Sequence, residues 1–270
     1  FISPKLDRNM KAAAFELVWP TTLSEATNLT GRIIAGGQSL GPMLNLRVVR
    51  PGKLIAISKL KELKGVADGA EEITIGACVT HAKIADGLLP ALGPDPHAAS
   101  ILPSIAEGIA YRAVRNRGTI GGSLCHADPA ADWVCTLSAL GAFVLIAPSN
   151  RLIPVQNFIT GAFRNTLAPR EIVQAVRIPK ISASARWGYV KFCRKPGDFA
   201  HAMAAVLIDG VTRRAAIGAL GGPPLILKDD DFDNAESILK KANTGLDDIA
   251  LNLQLVAFSR AFAQARSGEK

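Results

Sequence analysis

Apolar residues recur along this chain at two spacings, and the changes between them divide it into segments. Phe15-Glu16-Leu17-Val18 alternates as a short strand and stops at Pro20. Thr21 to Ala26 then opens a helix, with Thr22 and Glu25 at capping-box spacing. A β-branched run, Arg32 to Ala35, and a second one, Lys53 to Ile57, read as strands, so the opening is β-α-β. From Leu63 the texture shifts. Leu63 to Ala67 and Glu72 to Ala77 are strand-like runs around Asp68-Gly69, which predicts a hairpin. A helix follows from Thr80, a Pro/Gly-rich piece from Leu89 to Pro96 interrupts it, and Ile101 to Ala110 returns to helix.

Asp128 and Pro129 carry helix-opening chemistry before the apolar stretch Ala130 to Leu140, so a helix capped by Asp128 is expected there. Strands are expected at Phe143 to Ile146 and Arg151 to Val155. Glu171 to Ile178 alternates as a half-buried strand ended by Pro179. Lys180 to Ala185 is a small polar linker and the candidate domain boundary. Beyond it lie three strand-like runs, Trp187 to Phe192, Met203 to Ile208 and Ala215 to Leu220, then helices at Asn234 to Ala242 and Leu246 to Arg266. Strands followed by helices indicate an α+β arrangement. The expected division is 1–9 as a leader or cloning remnant before Met10, then 10–62, 63–179 and 180–270.

Two glycine pairs interrupt this pattern. Ile33-Ile34-Ala35-Gly36-Gly37-Gln38-Ser39-Leu40 carries a strand into a Gly-Gly turn, with Ser39 as a possible cap. Asn116-Arg117-Gly118-Thr119-Ile120-Gly121-Gly122-Ser123 is the second such loop. Neither fits the dinucleotide or Walker glycine spacing, which disfavours a Rossmann or P-loop site. Glycines leave backbone N–H groups uncovered, so two such turns suit a diphosphate gripped from two sides. Arg112, Arg115 and Arg117 precede the second loop with no acidic residue between Glu107 and Asp128, and read as an electropositive collar.

Composition narrows the function classes. Hydrophobic residues make up 49% and charged ones 20%, an ordinary globular balance. No apolar run reaches membrane-spanning length and no signal peptide is visible, so a cytoplasmic location is expected. The net charge of +8 is scattered, and aromatics are only 6%, which argues against a nucleic-acid surface. Cys78, Cys125, Cys135 and Cys193 form no C-x-x-C pair, so the chain carries no iron–sulfur or zinc motif. His81, His97, His126 and His201 show no metal-ligand spacing and read as structural imidazoles.

With both loops in order, residues from about Met10 to Gly222 resemble the medium, flavin-binding subunit of molybdenum hydroxylases, the family of xanthine and carbon monoxide dehydrogenases. The resemblance implies a two-part FAD-binding domain of the vanillyl-alcohol oxidase and xanthine dehydrogenase type, with a small C-terminal α+β domain. It implies FAD contacts at Ile33 to Leu40, Ile109, Gly118 to Ser123, Asp132, Val173, Lys191 and Phe199. Asp132 would accept from a ribitol or ribose hydroxyl, and Lys191 would sit near the ring carbonyls to stabilise the anionic reduced flavin. Phe199 stands where some relatives place a tyrosine over the ring. The resemblance also implies molybdopterin and iron–sulfur clusters on a large and a small partner subunit, in a dimer of heterotrimers. Electrons would leave to NAD, a quinone or oxygen. The alternative is a self-sufficient flavin oxidase of the vanillyl-alcohol oxidase superfamily, against which stands the lack of an evident base or extended substrate domain. A third reading, a binding module without redox work, predicts degraded loops, yet both glycine pairs are intact.

Overall fold

The computed structural model describes residues 11–242 and 245–267; the expectation for residues 1–9 falls outside them. Strand β1 (Glu16–Val18), helix α1 (Leu23–Asn28), β2 (Arg32–Ile34), α2 (Leu40–Asn45) and β3 (Lys53–Ala56) form the opening unit. Its three strands are parallel, in the order β1-β3-β2. Thr22 caps α1 as expected, its hydroxyl accepting from the Glu25 N–H at 3.1 Å. The Glu25 carboxylate reaches one residue further back than a capping box requires, to the N–H and hydroxyl of Thr21.

The second unit is an antiparallel sheet of β4 (Val66–Asp68), β5 (Glu72–Gly76), β6 (Phe143–Ala147), β7 (Arg151–Pro154) and β10 (Ile172–Pro179). Its order is β4-β5-β10-β6-β7. The hairpin at Asp68-Gly69 is present, but Lys61–Leu63 is a 3-10 turn, so the first strand is shorter than its apolar run. Strand β10 is not half-buried. It sits between β5 and β6, and a bulge at Gln174 buries both Val173 and Ala175. That bulge breaks the alternation on which the sequence reading rested.

Helices α3 (His81–Ala85), α4 (Pro96–Glu107), α5 (Arg112–Arg115), α6 (Ile120–His126) and α7 (Asp132–Ala139) lie between β5 and β6. Helix α4 starts earlier than its apolar run, because Asp95 caps it and Pro96 takes the first position; it ends before Ile109. The helix expected from Ala130 is present with a later start, and another helix precedes it. One starts inside the glycine loop, capped by Thr119, and ends where Ala127 turns left-handed at φ 53°. The other starts at Asp132, and Asp128 serves instead to close a turn onto the Ala130 N–H. A short helix α8 (Val155–Phe158) and the ribbon β8 (Ile159–Gly161) with β9 (Arg164–Asn165) complete this unit.

The last unit is a meander of β11 (Arg186–Phe192), β12 (Ala202–Asp209), β13 (Thr212–Gly218) and β14 (Leu225–Lys228). Helices α9 (Ala235–Lys241) and α10 (Asp248–Ser267) follow. Strand β12 is apolar at successive positions because both its faces are covered. Met203 and Ala205 join the core of the second unit with Trp133, Leu137 and Ile105, whereas Ala204 and Val206 pack with Phe258 and Ala261 of α10. A third cluster, with Ala26, Ile55, Leu63, Cys78 and Ile172, seals the opening unit onto the second. The fold is α+β, and both glycine loops lie along that seal. No helix among the described residues is long and apolar enough to cross a membrane.

Candidate functional site

The two glycine loops meet. A Cβ on Gly36 would stand 1.9 Å from the Arg117 carbonyl oxygen and 3.0 Å from the Gly118 Cα, so only glycine allows this approach. Gly37 follows with φ +71°, a left-handed turn that carries the chain towards Ser39 and Leu40. Ser39 takes the cap position of α2, yet its hydroxyl makes no capping bond. The N–H groups of Gly36, Gly37, Gln38, Ser39 and Leu40 find no acceptor among the described residues, although the carbonyls of Gly37 and Ser39 accept from α2. Five successive uncommitted donors in one turn are what an anion requires. Ile33 and Ile34 anchor the turn by pairing with Ile55 and Ala56.

The second loop spends its N–H groups differently. Ile120 donates to Val79 at 3.1 Å, Gly121 to Ala77 at 3.0 Å and Ser123 to Thr119 at 2.9 Å. Gly122 donates to the Thr119 hydroxyl at 3.1 Å. A Cβ on Gly121 would stand 2.5 Å from that of Ala77, so this glycine answers to packing. What remains uncommitted here is the Thr119 N–H and the half-buried Ser123 hydroxyl.

Behind Gly118 stands His81. Its N–H donates to the Gly118 carbonyl at 2.9 Å, and its Nδ1 accepts from the Trp133 indole N–H at 3.1 Å. Burial and, secondarily, the Arg115 charge lower its pKa to about 4, so the ring is neutral near pH 7. From the sequence alone His81 reads as structural, because its partner lies fifty-two positions away and leaves no local pattern.

Asp132, Lys191 and Ile109 gather in a second cluster. Lys191 Nζ lies 2.9 and 3.0 Å from the two Asp132 carboxylate oxygens, and 3.2 Å from the Gly108 carbonyl beside Ile109. Tyr189, two residues earlier on the same face of β11, donates its hydroxyl to Asp132 at 2.7 Å. Burial pushes the Asp132 carboxyl up, against the pull of the Lys191 ammonium and the Tyr189 hydroxyl. Asp132 is thus neither solvated nor free, and Lys191 offers a neutralised pair rather than a lone cation. Removing one member of such a buried pair costs roughly 3–5 kcal/mol. Tyr189 was missed, though its spacing from Lys191 on an alternating strand was the available signal.

The arginine collar is corrected by the fold. Arg112 forms a bidentate ion pair with Asp86, an acid that precedes the Glu107 to Asp128 interval. Arg115 Nη1 donates to the carbonyls of Glu107, Ile109 and Ala110, closing the end of α4. Of the three, Arg117 alone is exposed without a described ion pair. Ala110 in turn donates to the Gly197 carbonyl, which docks the Arg194–Ala200 segment. Phe199, 58% exposed, lines a depression of about 770 Å³ there with Tyr111, Arg194, Gly197 and His201. Val173 lies apart from both clusters, buried in β10. Burial pushes the Cys78 thiol up to about 11 and Cys125 to about 12, so neither is a nucleophile near pH 7.

The sequence and the fold match those of known proteins. Residues 13–181 match the family described as the FAD binding domain in molybdopterin dehydrogenase. The chain is 33% identical over 253 residues to the 6-hydroxypseudooxynicotine dehydrogenase complex subunit alpha of Paenarthrobacter nicotinovorans, covering 89% of this chain and 83% of that one. It is 35% identical over 203 residues to the carbon monoxide dehydrogenase medium chain of Hydrogenophaga pseudoflava, covering 72% and 69%. Among solved structures it superposes on quinoline 2-oxidoreductase from Pseudomonas putida 86 with TM-score 0.80 and 31% identity, over 96% of this chain and 99% of that chain. The free donors of the first loop and the tight approach of the second fit a dinucleotide cofactor.

Proposed function

The chain belongs to the FAD-binding medium subunits of molybdenum hydroxylases, and from that premise we propose that it passes electrons from iron–sulfur clusters of a partner through FAD to an external acceptor. It is an oxidoreductase subunit whose cofactor is FAD. In this reading the molybdopterin sits on a large partner and the clusters on a small one, and the cytoplasmic assembly is a dimer of heterotrimers. NAD, a quinone or oxygen takes the electrons.

The observation that carries the reading is the run of uncommitted N–H groups from Gly36 to Leu40, held against the second loop at Gly118. These groups hold the diphosphate, and Ser123 adds a hydroxyl. FAD, once bound, supplies reversible two-electron and one-electron chemistry in one group. The cluster of Asp132, Lys191 and Tyr189 ties α7 to β11, fixing the gap between the second and last units where the ring is placed. Lys191 and Ile109 border it, Phe199 shields it, and Val173 supports α6 from behind.

The test is co-expression with the two partner subunits. The purified complex should show flavin absorbance that bleaches on adding the oxidisable substrate. The chain purified alone, loaded with FAD, should not bleach with the same substrate. Bleaching by the isolated chain would favour a self-sufficient oxidase.

A further inference from the structure

His81 is 5% exposed, yet one of its two ring nitrogens is unmatched. An indole N–H can only donate, so Nδ1, which faces Trp133, is the unprotonated nitrogen and Nε2 carries the proton. That Nε2–H has no acceptor among the described residues, and it is not walled into the core with the enclosed polar atoms. It lies 3.0 Å from the point where a Cβ on Gly118 would begin. Gly118 is the residue that Gly36 approaches, so the donor borders the seam where the first loop's uncommitted N–H groups begin. The donor is therefore open to an acceptor from outside the chain, although the side chain that carries it is buried and held in place by Trp133.

We infer that His81 donates through Nε2–H to an oxygen of the FAD diphosphate, in concert with the N–H groups of Gly36 to Leu40. Trp133 is the positioning residue, because its N–H locks the tautomer that makes Nε2 a donor. The glycine at position 118 serves this contact: a side chain there would meet the imidazole at 2.8 Å and displace it. A neutral donor suits the place, since it adds no buried cation beside Arg115. The inference rests on the chain binding FAD and adds a residue and an atom to that site.

The experiment uses the full chain, stripped of flavin and labelled with 15N at histidine. Long-range proton–nitrogen spectra should show the His81 ring with its proton on Nε2, assigned by its loss in His81→Gln. The Nε2–H signal should move on adding FAD and on adding ADP, which carries a diphosphate without a flavin. It should move little with FMN, which has a single phosphate. His81→Leu should weaken FAD binding about tenfold, read by quenching of flavin fluorescence. His81→Gln, whose amide can accept from Trp133 and still donate, should recover affinity to within about threefold. Normal FAD binding with an unmoved Nε2–H, or a shift with FMN but not ADP, would overturn the inference while leaving the cofactor reading intact. A parent chain that binds no flavin nucleotide would remove both. The spectra of the parent protein decide the matter even where His81→Leu fails to fold.

Discussion

The two glycine loops share their letters and divide their labour. The first keeps its backbone donors from Gly36 to Leu40 uncommitted, in a turn whose residues are half-buried to exposed. The second spends its donors on Val79, Ala77 and the Thr119 hydroxyl, and buries Gly118, Thr119, Ile120 and Gly121. One is a hand and the other a wall. A Gly-Gly pair therefore says that backbone comes close to something, and only the structure says whether that is ligand or protein.

The sharpest way to break this comparison is to add one methyl to each loop. In Gly36→Ala the new Cβ meets the Arg117 carbonyl at 1.9 Å, which drives the loops apart. FAD affinity should fall by about a hundredfold or more, roughly 3 kcal/mol, with a smaller loss of apoprotein stability. In Gly121→Ala the clash is with Ala77 at 2.5 Å, inside the framework. Overpacking of this kind costs about 1–3 kcal/mol of folding stability, which urea unfolding of the apoprotein should reveal. Whatever Gly121→Ala protein remains folded should bind FAD within about threefold of the parent. Equal losses of affinity in folded protein from both substitutions would abolish the distinction.

The wall should also be acid-sensitive where the hand is not. His81 is held neutral, with a folded pKa of about 4 against an ordinary 6.5. Between those values the unfolded chain binds the extra proton, so stability is fully present above pH 6.5 and falls as the pH drops towards 4. The full difference corresponds to roughly 3 kcal/mol, of which about half should be lost by pH 5. Urea midpoints of the apoprotein at pH 7 and pH 5 measure it. His81→Gln should flatten the profile, and an unchanged slope in that variant would show that other groups set it.

Much of this was legible in advance, for identifiable reasons. Gly36-Gly37 and Gly121-Gly122 stand out because close backbone approach excludes other residues whatever the neighbour. The three strands of the opening unit follow from β-branched and alternating runs, and the strands β11 to β13 from short, largely apolar runs. What was not legible depends on contacts across the chain. The pairing of Arg112 with Asp86 spans twenty-six positions, that of Lys191 with Asp132 fifty-nine, and no local pattern announces either. Local chemistry also misled where two residues competed. Asp128-Pro129 looks like a helix start, but Thr119 already caps a helix ahead of it, and the chain reverses at Ala127 before α7 begins.

The smallest effects are expected from two hydroxyls one helical turn apart, and they should differ in kind. Thr119 is buried and its hydroxyl accepts from the Gly122 N–H at 3.1 Å, so it is a helix cap. Valine has nearly the same shape, so Thr119→Val removes the hydrogen bond with little repacking. The loss should be about 1 kcal/mol of stability, the worth of an N-cap, or a fall of roughly 2–4 °C in the melting temperature of the apoprotein. Ser123 stands on the same helix, but its hydroxyl has no partner among the described residues. Ser123→Ala should leave the apoprotein's melting temperature within about 1 °C, because an exposed or unpaired hydroxyl contributes little to folding. It should instead weaken FAD binding by about threefold to tenfold, the worth of one hydrogen bond to a charged or polar acceptor. Calorimetry on the apoproteins and flavin titration of both variants give four numbers. A crossed pattern, stability lost in one and affinity in the other, is the expected result; affinity lost in Thr119→Val instead would mean that Gly122 and its cap belong to the hand.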